Sequence, residues 1–129
     1  LANEKKPAPR AKYFLTETAT SQYRKIIFYT AQKFGVEQAK KYRAQLRKGI
    51  LKIAEKNISI KTSFREETAS HTSFSIHLVV HHYIAFQVQT NKHIIIAGIF
   101  HESMDLPARL LQLQEMSKKE IAAINRQFT

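Results

Sequence analysis

The chain has 129 residues, 43% of them hydrophobic, and its 21 Lys and Arg against 10 Asp and Glu give a net charge of +11. That length supports one domain with a buried core and leaves little room for a second. The lack of cysteine excludes a disulfide framework and a thiolate metal site, which suits a reducing compartment. No apolar run reaches the roughly 18 residues of a membrane span, and the amino terminus has no apolar signal core. The expectation is therefore a soluble, cytoplasmic protein with no membrane role. A pI near 10.0 points to an acidic partner, whether nucleic acid, an acidic protein segment or an anionic surface.

The charge is unevenly placed. Residues 15–56 hold ten cations and three anions, whereas residues 57–105 hold three and four. Residues 1–11, polar and with two prolines, read as a flexible arm ahead of a single domain over 12–129. Lys12 to Leu15 is a short strand candidate, and Thr16 or Thr18 can cap the helix that follows. Ala19, Tyr23, Ile26, Ile27, Thr30, Ala31 and Phe34 recur every three or four residues, as one helix face does, and Gly35 can end that helix. A second helix places Ala39, Tyr42, Leu46, Gly49, Ile50 and Ile53 inward, with Lys40, Lys41, Arg43, Arg47, Lys48 and Lys52 outward. So tight a connection predicts an antiparallel helical hairpin, and Gly49 marks close packing.

Residues 57–73 show no sustained period and read as a connection, with a short strand around Ile60 to Phe64. Phe74–Val80, Tyr83–Thr90 and His93–Phe100 are then β-rich runs separated by His81-His82 and Asn91-Lys92. Such short connections require antiparallel neighbours. His81-His82 is unusual for a two-residue turn, so a bulge is an alternative there. Ile94, Ile95, Ile96 and Ile99 mark the last run as a central strand covered on both faces. Asp105 or Leu106 can cap a final helix over about 106–127, with Pro107 in its first turn and a stripe of Leu106, Leu110, Leu113, Ser117, Ile121, Ile124 and Phe128. The fold class is α+β: an N-terminal strand and helical hairpin packed on a small, mainly antiparallel sheet, in the order β-α-α-β-β-β-α, with an additional C-terminal helix.

The hairpin, with FGVEQAKKY at residues 34–42, the run Tyr83-Ile84-Ala85-Phe86, and above all Ile95-Ile96-Ala97-Gly98-Ile99-Phe100-His101-Glu102-Ser103-Met104-Asp105 resemble the ParE branch of the ParE/RelE toxin superfamily. The resemblance spans roughly residues 12–111. It implies the toxin of a type II toxin–antitoxin module, held inactive in a hetero-oligomer by a cognate ParD-like antitoxin and, when free, inhibiting DNA gyrase. RelE-like relatives instead cut messenger RNA on the ribosome. A degenerate toxin that only binds its antitoxin is a further alternative.

The residues bear on this choice. Cleavage through a 2′-OH needs an acid, a base and cations around the phosphorane. The sheet region supplies only Lys61, Arg65 and Lys92, and the arginine that both branches commonly carry at the start of the second strand is replaced within Phe74-Ser75-Ile76-His77. This favours a binding inhibitor without catalytic residues or a cofactor. Against it, all six histidines fall in the same region, and Arg65 with His77, His81 and His82 is the candidate nuclease set. A metal site is disfavoured because neighbours such as His81 and His82 face opposite ways on a strand. Expected partner contacts are Arg43, Arg47 and Lys48 on the basic hairpin, toward an acidic antitoxin tail, gyrase or DNA reached through either, and His101 and Arg109 beside the polar exit. Met104 reads as a core gap-filler and Asp105 as a cap. The last helix could pack on the sheet, dimerise, or occupy the antitoxin groove in cis.

Overall fold

The structure, a computed structural model, describes residues 12–56, 72–89 and 92–127. Among these, strand β1 (Tyr13–Leu15), helices α1 (Glu17–Phe34) and α2 (Val36–Lys56), strands β2 (Ser75–Val79), β3 (His82–Val88) and β4 (Ile94–His101), and helix α3 (Leu106–Arg126) follow in the expected α+β order. The sheet runs β1-β4-β3-β2, with β1 parallel to β4 and the other pairs antiparallel. β4 is thus interior, and its residues from Ile94 to Phe100 are all buried. No described helix is long and apolar enough to cross a membrane.

One threonine joins the strand, the helix and the sheet. Thr16 is fully buried; its hydroxyl donates to the Ala97 carbonyl at 3.0 Å and accepts from the Ala19 amide at 3.1 Å, capping α1. Beyond β1, the Gln22 side-chain oxygen accepts from the Ile99 amide at 2.8 Å, so α1 covers a ladder position that the short strand cannot reach. Gly35, at φ 93°, ends α1 and lets α2 start one residue later.

The hairpin covers one face of the sheet. Tyr42, Leu46, Ile50 and Ile53 meet Val79, Ile84, Phe86, Ile94 and Ile96 there. Gly49 lies against Val79, where a β-carbon would come within 2.3 Å of a valine methyl, which is the close packing expected of it. α3 covers the other face, setting Leu106, Leu110 and Leu113 against Phe74, Ile76, Tyr83, Ala85, Ala97 and Phe100. Packing on the sheet is therefore the arrangement adopted, of the three left open for this helix. It is tied down by Ser73 N–H to Gln114 at 2.8 Å near its middle, and in its far half by Asn125 to Gln89 at 2.9 Å and by the Glu120 carboxylate, which accepts from the Glu17 amide at the positive end of α1.

Several local expectations are corrected. The two-residue turn is Val80-His81, not His81-His82: Val79 pairs with His82, which belongs to β3, and Val80 takes φ 54°. The irregularity lies in the β3–β4 pair, where Ala85 opposes Gly98 but Phe86 opposes Ile96. The extra β4 residue reverses the side-chain alternation, so Ile96 faces the hairpin while both Ala97 and Phe100 face α3. Phe34, assigned to the inner stripe, is 67% exposed because α1 overhangs the sheet at its last turn. Met104 is exposed and fills no core gap, whereas Asp105 does cap α3. The strand expected around Ile60 to Phe64, the turn residue Asn91 and the stripe residue Phe128 lie outside the described residues.

Candidate functional site: a histidine-ended groove under the helical hairpin

Where the apolar packing of the hairpin gives out, at the C-terminal end of β4, the sheet offers histidine. His82 and His101 are cross-strand partners at the last register position of β3 and β4. Their rings meet edge to face at 5.1 Å, and His81, from the turn, stacks on His101 at 6.3 Å. His81 and His82 thus converge on His101 rather than diverging, because His81 sits in the turn and not on a pleated strand. Tyr42 reaches down from α2 to hydrogen-bond His82 Nδ1.

The partners fix how the rings are protonated. The Ser103 amide donates to His101 Nδ1 at 3.0 Å, so neutral His101 carries its proton on Nε2, and the Ser103 hydroxyl at 2.7 Å donates to the same Nδ1. Burial, then the neighbouring His101 and His81, lowers the His82 pKa to about 4, overcoming the opposing pull of Glu102. Burial raises that of Tyr42, although its hydrogen bond to the His81 backbone opposes this. Both stay neutral near pH 7, so the Tyr42 hydroxyl donates to His82 Nδ1. His81 in turn lies 2.5 Å from the Glu102 carboxylate, and the Glu102 amide donates to the His81 carbonyl at 2.8 Å.

These groups close one end of an open groove of about 840 Å³ between α1, the start of α2 and the sheet. Ile26, Tyr29 and Phe34 supply its apolar wall, and Lys25 and Gln38 line it too. Tyr29 is 56% exposed and Phe34 67%, with Phe28 and Val36 also exposed nearby in sequence. Exposed large side chains gathered at a concave surface are what a partner's apolar anchors require.

The expected site residues fall into separate places. His81, His82 and His101 come together. His77 lies further along β2, beside Lys52 of α2, with its pKa lowered by burial and then by Lys52. Arg65, the remaining member of the candidate nuclease set, lies outside the described residues. Arg43, Arg47 and Lys48 are exposed on α2, and Arg109 is exposed in the first turn of α3, away from the residues that line the groove. No described group of three or more His, Cys, Asp or Glu residues is placed to hold a metal ion. Sequence reasoning missed Lys25, Tyr29, Tyr42 and Ser103 as members of one groove. A signal was available: Phe28 and Tyr29 are adjacent aromatics outside the α1 stripe, more than a single buried face can absorb.

The fold and groove define a small α+β protein built to present a surface, with a helical hairpin on one face of the sheet and a third helix on the other. A family model described as the ParE toxin of type II toxin-antitoxin system, parDE, matches residues 13–106, most of the chain. Toxin ParE of Escherichia coli is 30% identical over 98 residues, which cover 76% of this chain and 91% of that one. The chain belongs to the ParE toxin family of type II toxin–antitoxin systems. A solved structure titled as the chromosomal ParDE TA system from P. aeruginosa shares the fold at TM-score 0.57 and 14% identity, covering 71% of this chain and 96% of that chain.

Proposed function

We propose that this ParE-family toxin acts by binding, with DNA gyrase as its target and a cognate ParD-like antitoxin as its controller. The supporting observation is the groove: an open apolar trough rimmed by exposed Tyr29 and Phe34 on a strongly basic hairpin. Such a surface suits an amphipathic antitoxin segment that sets apolar side chains against Ile26, Tyr29 and Phe34 while its acidic residues meet Lys25 at the groove. Ordering that segment on the toxin would hold the complex together as a hetero-oligomer.

The convergence of His81, His82 and His101 with Tyr42 and Ser103 favours a second reading, endoribonuclease activity on ribosome-bound messenger. Imidazoles provide acid and base near neutral pH. Lys25 is the fixed cation that lines the groove, which leaves the phosphorane thinly stabilised. One experiment separates the readings: gyrase supercoiling and messenger integrity on ribosomes, each with and without the purified toxin. Binding inhibition predicts lost supercoiling with intact messenger, reversed by antitoxin. Cut messenger with normal supercoiling would replace it with the nuclease, and no effect in either assay would leave a degenerate toxin.

A further inference from the structure

The groove leaves the opposite, solvent-facing side of α2 without a role. Lys40, Arg43 and Arg47 follow one another at i, i+3 and i+7, and Lys41, Lys48 and Lys52 at i, i+7 and i+11, so they form two stripes along the exposed arc of one helix. The strip between the stripes holds Ala44 and Leu51, with the carboxylates Glu37 and Glu55 only at its ends. Lys40 pairs with Glu37 at 3.5 Å; among the described residues Lys41, Arg43, Arg47, Lys48 and Lys52 have no carboxylate within ion-pair distance. Arg43 with Arg47 and Lys48 with Lys52 are like charges one turn apart, which repel and weaken a helix unless something anionic lies over them.

We infer that this double cationic stripe on α2 is a docking surface for the phosphate backbone of duplex DNA. The stripes extend over about 18 Å of helix axis, along which a duplex presents a phosphate charge every 1.7 Å or so. They border a helix about 10–12 Å across, comparable with the roughly 12 Å width of a major groove, so each stripe can meet one of the two strands. Ala44 and Leu51 have no hydrogen-bonding side chain for base edges, so binding is independent of sequence. An acidic protein fits this face less well than phosphate does. Protein partners need large apolar or aromatic anchors and disfavour lysine, and past its first residue α2 exposes no large hydrophobic side chain among the described residues, whereas the groove exposes Tyr29 and Phe34. The toxin thus has an apolar face for a protein and a cationic face for a polyanion. This inference holds whether or not gyrase is the target, since it concerns the isolated chain.

The test is fluorescence anisotropy of a labelled, mixed-sequence duplex of about 30 base pairs with the full chain, from about 50 to 200 mM NaCl. Binding is expected to fall with salt at a log–log slope of about −4.5, as about five phosphate contacts require, and to be equal for unrelated sequences. Lys48→Glu with Lys52→Glu should weaken binding by more than about tenfold and flatten that slope by about 2. Arg43→Gln with Arg47→Gln, on the other stripe, should act in the same direction with no charge reversal. Lys118→Glu with Lys119→Glu, on α3, makes the same change in net charge as the first pair and should cost less than threefold. Circular dichroism checks that each variant is folded. Equal losses from the α2 and α3 lysine pairs would overturn the inference in favour of diffuse charge attraction. So would duplex binding weaker than about 100 μM at 50 mM NaCl, or tighter binding of a glutamate-rich peptide than of the duplex.

Discussion

His82 should make the fold sensitive to mild acid. Its pKa falls from the ordinary 6.5 to about 4 because burial beside His101 and His81 disfavours the imidazolium, so between these values the unfolded chain binds the proton that the folded chain refuses. Stability then rises with pH across that window and is lost as pH falls below about 6.5. Each pH unit inside it is worth about 1.4 kcal/mol, so going from pH 7 to pH 5 would cost about 2 kcal/mol for a fully shielded ring. His82 is only partly buried, and water screening brings this to about 1 kcal/mol. The groups facing His82 are the Tyr42 hydroxyl, His81, His101 and Glu102. Urea unfolding followed by circular dichroism at pH 7, 6 and 5 measures the loss, and His82→Gln, which cannot be protonated, should remove the His82 share of about 1 kcal/mol while leaving that of His77, whose pKa burial also lowers. Parallel pH profiles for the wild type and His82→Gln would refute the reasoning.

Gly49→Ala should destabilise by about 1–2 kcal/mol, because the clash with Val79 outweighs the gain in helix propensity; adding Val79→Ala should recover part of the loss in a double-mutant cycle. Val80→Gly should raise the melting temperature, since valine at φ 54° in a hairpin turn carries about 1 kcal/mol or more of strain that glycine does not. Leu110→Ala, at a fully buried contact between α3 and the sheet, should cost about 2–4 kcal/mol by chemical denaturation. Tyr29→Ala with Phe34→Ala should leave the melting temperature within about 1 °C while weakening antitoxin binding more than tenfold in calorimetry, as truncated exposed anchors do.

What could be read from the chain follows the range of the forces involved. Helix periodicity, the Thr16 and Asp105 caps, Gly35 and the isoleucine run are local signals, and each gave its element to within a residue or two. The turn was misplaced by one residue because valine at positive φ is excluded by local preference, and only pairing across β2 and β3 puts it there. The bulge was equally invisible: its cause is non-local, since Ala97 and Gly98 leave room on the side where Leu113 and Phe100 pack, within 3.0 Å of where a Gly98 β-carbon would stand. Of the histidines that cluster in the second half of the sequence, His81, His82 and His101 meet while His77 stands apart, and strand alternation alone would divide His81 from His82. It took the turn geometry to bring both onto His101. Phe34 was lost to the stripe because periodicity reports which way a side chain points, not whether the sheet extends far enough to cover it.

The C-terminal helix shows how the two faces of the sheet differ in what they leave available. The family model ends at residue 106, where α3 begins, yet α3 buries the centre of the sheet's second face and is held toward its far end through Glu120 to the start of α1. Gly98 lies beneath Leu113 and opposite Ala85, small residues at the point of close approach. That face is therefore committed to intramolecular packing. Two surfaces that the hairpin leaves open are the histidine-ended groove and the outer arc of α2, and the hairpin also carries +7 of the net charge of +11. One αα-hairpin thus supplies two chemically different surfaces on opposite sides, and a partner that fills the apolar groove need not displace one that neutralises the basic stripes.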